Sequence, residues 1–119
     1  MFLRKSKSRL NKILYPYDTL FYSWDKKIIV DDCIDKIILK KGDISITFEE
    51  DLREHIVNMC LTRRNQEICV VFFRKVILHE NFLGADELKK ELSYFENKNN
   101  IEQFEIRTYV DFLKVNQIV

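Results

Sequence analysis

The sequence predicts an α+β domain: a small mixed or antiparallel sheet of about four strands with two helices on one face. The predicted order is β-β-α-β-α-β, preceded by a basic N-terminal helix or arm over residues 1–14. Three observations carry this. Residues 68–78 (ICVVFFRKVIL) form the densest apolar run and are rich in β-branched and aromatic side chains. Residues 44–48 alternate apolar and polar behind the turn signal Lys41-Gly42-Asp43, the mark of a hairpin. Two further stretches, 47–63 and 84–96, carry helical apolar spacing.

Residues 1–14 hold Arg4, Lys5, Lys7, Arg9 and Lys12 with no acid, a charge of +5. The whole chain has a net charge of +1, so the remainder sums to −4. Leu3, Leu10, Ile13 and Leu14 can share one helix face before Pro16 ends the segment. The arm reads as a helix docked on the body, a phosphate-binding arm, or an interfacial or partner-docking helix. The body, 15–119, reads as one compact domain.

Next come Tyr15, Tyr17, Phe21, Tyr22 and Trp24, the aromatic concentration of the chain. Rings beside a basic arm suit base stacking or a protein interface, and they equally suit a segment packed over the core edge. Residues 27–30 and 33–40 read as strands, and 44–48 as the return strand of the hairpin. Between the first two, Asp31, Asp32 and Asp35 spell a DDxxD string. That string binds magnesium diphosphate when it is helical; between strand-like runs it reads as a polar turn.

Thr47-Phe48-Glu49-Glu50 matches a capping box, and acids at 49–51 suit a helix N-terminus. A helix to about Arg63 would bury Leu52, Ile56, Met59 and Cys60, with Arg63 and Arg64 at its negative end. Residues 68–78 follow as the central strand, covered on both faces, with a helix over 65–79 as the rival. Arg74 and Lys75 interrupt the run, so the strand leaves the core there or bulges. The second helix, opened by Gly84 to Asp86, buries Ala85, Leu88, Leu92 and Phe95. Residues 101–113 read as a final strand, with Phe104, Ile106, Val110 and Phe112 on one side.

At 119 residues, 46% hydrophobic and 33% charged, the chain is an ordinary single globular domain. Abundant isoleucine and lysine with few glycines resembles coding from an AT-rich genome, such as that of a phage, a virus or a bacterium. Cys33, Cys60 and Cys69 are an odd, unspaced set that suits a reducing cytoplasm. No signal peptide or transmembrane run is present in the sequence, and an intracellular location follows as the expectation.

The chemistry-bearing residues are sparse. No CxxC, HxH or HExxH spacing exists, and glycines at 42 and 84 make no phosphate loop, so no metal and no cofactor is expected. His79 with Glu80 follows the central strand and is the best acid–base candidate; His55 borders an apolar stripe. Asp43, Glu67 and Arg74 or Lys75 on a sheet edge would make a metal-dependent nuclease. The reading these features favour is a non-enzymatic macromolecule-binding module. It would be a protein-binding inhibitor, immunity protein or adaptor, with Tyr17, Tyr22 and Trp24 at the interface. The alternative is nucleic-acid binding through Arg4, Lys5, Lys7, Arg9 and Lys12. A homodimer through an edge strand near the C-terminus is a further option.

Overall fold

The computed structural model describes residues 8–94 and 101–119. Its centre is a six-stranded antiparallel sheet whose strands lie side by side in chain order. The strands are β1 (Asp25–Val30), β2 (Ile34–Lys41), β3 (Ile44–Asp51), β4 (Ile56–Arg63), β5 (Gln66–Phe72) and β6 (Lys75–Leu78). Helix α1 (Arg9–Leu14) and a 3-10 turn (Tyr15–Tyr17) precede them; α2 (Ala85–Tyr94) and α3 (Ile101–Val115) follow. This overturns the expected four-strand sheet in the order β-β-α-β-α-β.

The register explains why one face is the core. Ile37 lies opposite Phe48 and Leu39 opposite Ile46. Phe48 faces Met59 and Ile46 faces Leu61. Met59 faces Val71, and Leu61 faces Cys69. Directly opposed residues share a face, so these buried side chains form one apolar sheet surface. Helix α1 lies on it over β2 and β3, α3 over β4, and α2 beside β6 and α3. Leu10 and Leu14 of α1, Leu88 and Leu92 of α2, and Ile106, Tyr109, Val110 and Leu113 of α3 complete the core.

The expected helix over 47–63 is instead β3, a turn and β4. Period two wins over period 3.6 here: Ile46, Phe48 and Glu50, then Val57, Met59 and Leu61, alternate inward. The capping-box residues serve other ends. Glu50 is buried on the core face and accepts from Arg9 Nη1 at 2.7 Å. Asp51 Oδ1 accepts from the backbone N–H groups of Arg53 and Glu54, closing the turn that His55 completes at φ 57°. The expected final strand over 101–113 is helix α3. Its fully buried residues recur at 106, 109, 110 and 113, a helical face.

The run 68–78 is not one central strand. A two-residue turn at Phe73 and Arg74 folds it into the β5–β6 hairpin. The irregularity in β5 lies upstream of Arg74. Thr62 pairs with Glu67 and Leu61 with Cys69, so Ile68 is an extra residue and both Ile68 and Cys69 reach the core. The 34–48 hairpin is present, with Gly42 at φ 61° in its two-residue loop. The second helix is present as α2; its expected Phe95 lies outside the described residues. Because the C-terminal segment is helical, no sheet edge lies there. The two edges are β1 and β6, so a homodimer through a C-terminal strand is ruled out.

Helix α1 is fastened by carboxylates from the sheet. Asp35 and Glu50 face each other across β2 and β3, both buried. Asp35 Oδ1 accepts from the Ser8 hydroxyl at 2.6 Å, and Oδ2 accepts from Leu10 N–H at 3.0 Å. Ser8 itself caps the helix, accepting from Asn11 N–H at 2.9 Å. A carboxylate at a helix N-terminus meets donors that the helix cannot satisfy internally.

Candidate protein-interaction surface

With the helices on one side, the other face of the sheet carries no helix among the described residues. Its central row follows from the register: Ile38, Thr47, Cys60, Val70 and Ile77. The row is apolar apart from one hydroxyl, and its β6 end is the most open. There Phe72, Phe73 and Ile77 are half exposed. The rings of Phe72 and Phe73 meet edge to face, centroids 4.4 Å apart. Lys75, paired with Phe72, opens the edge strand β6 that carries Ile77.

The turn that presents these rings is locally costly. Phe73 has φ 51° and Arg74 φ 64°, the left-handed pair that a two-residue hairpin requires. Asn and Gly are favoured there, and a bulky ring at positive φ is an outlier. Support comes from Asn58, whose Oδ1 accepts from Phe73 N–H at 3.1 Å. On the α3 side, Arg74 Nε lies 3.6 Å from the buried Glu105 carboxylate. Sequence reasoning placed Phe72 and Phe73 in a buried strand. Arg74 and Lys75 mark the turn rather than an exit from the core: Val76 and Leu78 beyond them pack against it again.

The three aromatic candidates part company. Trp24 is 8% exposed and packs edge-on against Phe21, 5.9 Å between centroids. Tyr17 is half-buried, and its hydroxyl pKa is raised by burial and by the Asp111 carboxylate, with Arg107 opposing. Tyr22 is 89% exposed and borders a shallow depression with Trp24 and Lys26, near β1.

Of the basic candidates, Arg4, Lys5 and Lys7 lie outside the described residues. Arg9 reaches Glu50. Lys12 lines a cleft of about 430 Å³ between α1 and α3, together with Tyr17, Gln103, Phe104 and Arg107. The Arg107 guanidinium lies over the Phe104 ring at 5.7 Å.

The acid–base and metal candidates are scattered. His55 is in the β3–β4 turn, 3.7 Å from Glu50. His79 follows β6, at the other end of the sheet, and Glu80 pairs with Arg63. Asp43 pairs with Arg64 at the β2–β3 turn, and Glu67 approaches Cys60 Sγ at 3.5 Å. Arg74 and Lys75 lie at the opposite sheet end from Asp43. In the DDxxD string, Asp31 Oδ1 accepts from Cys33 and Ile34 N–H, which holds its pKa below the usual range. Asp32 shares that turn, while Asp35 faces the core. Among the described residues no group of three or more His, Cys, Asp or Glu is placed to hold a metal ion.

Cys60, on the uncovered face, and Cys69, in the core, are both thiols rather than thiolates. Burial and the Glu67 carboxylate push Cys60 up to about 12, and burial pushes Cys69 up to about 11. The Tyr109 hydroxyl, fully buried beside Cys69, is raised well above its usual value. Among the described residues no helix is long and apolar enough to cross a membrane. No protein-family model, no curated protein and no solved structure matches this chain.

Proposed function

We propose that this chain is a protein-interaction module that docks a partner protein on Phe72, Phe73 and Ile77 at the open end of its uncovered sheet face. One observation carries the reading: Phe73 is held at φ 51° with its ring exposed. Both choices oppose stability. A residue that costs the fold on two counts at one surface point is a functional candidate. Aromatic anchors in a small exposed cluster are the usual centre of a protein interface. Tyr22, near the opposite edge, is a second exposed anchor of the same kind.

The test uses Phe73→Asn, because asparagine suits the turn and removes the ring. The folded variant is expected to be at least as stable as the parent in thermal unfolding. Proteins held by the parent in affinity capture, with nuclease present, are expected to be lost. Retention of those proteins by Phe73→Asn would overturn the proposal.

The nucleic-acid alternative has its own observation: Lys12 and Arg107 share one cleft with the rings of Tyr17 and Phe104. It is separated in the same experiment. Material released by nuclease and by modest salt would favour that cleft and the basic arm over the sheet face.

A further inference from the structure

We propose that β1 is a self-pairing edge: it adds antiparallel to β1 of a second copy about a two-fold axis through Ile29, joining two sheets into one. This surface is independent of the Phe73 patch, which lies at the far edge.

The strand is open where an edge strand is usually guarded. Asp25–Val30 is exposed along almost its whole length, with Ile28 and Ile29 showing on opposite faces. Helix α1 crosses β2 and β3. The backbone phase is fixed by Asp31 N–H, which donates to Ile34 C=O at 2.9 Å. Counting back by two, Ile29 and Lys27 turn their backbone groups to β2, and Val30, Ile28 and Lys26 turn theirs outward. Those outward groups are a template for another strand.

The sequence of β1 selects the partner and the register. It opens with Asp25-Lys26-Lys27, and Asp31-Asp32 begin the turn just past its last residue, Val30. Antiparallel pairing with its own copy brings the lysine end of each strand to the acid end of the other. Centred on Ile29, the register sets Ile28 opposite Val30 and brings Lys27 beside Asp31 in the turn just past the partner strand, while Lys26 donates to Asn11 of its own α1. Ile28 and Val30 then exchange both backbone hydrogen bonds, and Ile29 meets its own copy at the closely spaced position. Centring on Ile28 instead sets Asp25 opposite Asp31 and Lys27 opposite Ile29. Centring on Lys27 opposes two lysines. Like charges directly opposite are destabilising, so of these three registers the Ile29 one alone avoids them, and it also keeps Ile28 opposite Val30. Parallel or shifted neighbours meet the lysines as a barrier, which is how natural edges exclude wrong partners.

Cysteine trapping reads the register directly. At a closely spaced antiparallel pair the two Cα atoms are about 4.5 Å apart, within disulfide range. In a Cys33→Ser chain, Ile29→Cys is expected to form a disulfide-linked dimer under mild oxidation, and Ile28→Cys is expected to form far less. In ultracentrifugation the parent should associate with rising concentration, and Ile29→Lys should raise the dissociation constant by about tenfold or more. Lys27→Asp, which puts a like charge opposite Asp31, should weaken the dimer while leaving the Asp31 turn intact. A parent that stays monomeric, a dimer indifferent to Ile29→Lys, or equal trapping at both positions would each overturn the proposal. Thermal unfolding of each exposed-site variant confirms that the chain remains folded.

Discussion

Cys60, Cys69 and Tyr109 are groups whose neutral forms the fold prefers, and this gives the molecule an alkaline weakness. Unfolded thiols ionise near 9, whereas the folded ones hold their protons to about 12 and about 11. Between these values the unfolded chain has lost protons that the native chain keeps. Stability is therefore full below pH 9 and falls as pH rises from 9 towards 12. Denaturation in urea at pH 7, 9 and 10.5 should show this decline, and Cys60→Ser with Cys69→Ala should flatten it. Tyr109 leaves some slope behind, because its pKa is raised too. An identical decline in the double variant would place the effect elsewhere. The same shifts expect both thiols to alkylate slowly at pH 8 in the folded protein, since the thiolate is the nucleophile.

At the scale of the element, the hairpins show where the sequence was readable and where it was not. The β4–β5 turn uses Arg64 at φ 53° and Asn65 at φ 65°. Replacing Arg64-Asn65 by Asn-Gly removes that strain and should stabilise the protein by about 1 kcal/mol, read as a higher midpoint in urea. A lower midpoint would mean that the Arg64–Asp43 pair matters more than the backbone. The turns at 52–55 and 73–74 lack glycine, and so the β3–β4 hairpin was read as one helix and the β5–β6 hairpin as one long strand. The hairpin around Gly42 was legible because its loop has the expected glycine. Misreading 47–63 had a specific cause: Glu49, Glu50 and Asp51 look like a helix N-terminus. Their partners, Arg9 for Glu50 and the backbone of residues 53 and 54 for Asp51, are visible only in three dimensions. Helix α3 was legible in principle, since Ile106, Tyr109, Val110 and Leu113 keep helical spacing, but its β-branched and aromatic content pointed to a strand. The Phe72–Phe73 patch was invisible for a related reason. A dense apolar run signals burial, and only the turn inside it turns those rings outward.

For the whole molecule, the sheet is local and its cover is not. Every strand pairs with its sequence neighbour, while the face they create is closed by one helix from the start of the chain and two from the end. The basic N-terminal segment is thus part of the core as well as a carrier of charge. Leu10 and Leu14 are both buried against β2 and β3, and burial of each contributes about 1.5–3 kcal/mol. Deleting residues 1–14 also strips Asp35 of its Ser8 and Leu10 donors and Glu50 of Arg9. Loss of these donors to two buried carboxylates adds a further cost of a few kcal/mol. Against a typical total of about 5–15 kcal/mol, the deletion is expected to abolish or severely broaden cooperative unfolding. Neutralising the exposed Lys12 to glutamine removes a cleft charge while retaining the Arg9–Glu50 pair and both leucines, and should leave the unfolding midpoint within about 0.5 kcal/mol. A truncated chain with an unchanged midpoint would show that α1 contributes nothing to closing the sheet. The contrast also decides how nucleic-acid binding is to be assayed: loss of affinity in the glutamine variant reports on phosphate contacts, whereas loss in the truncated chain reports only that the fold has opened.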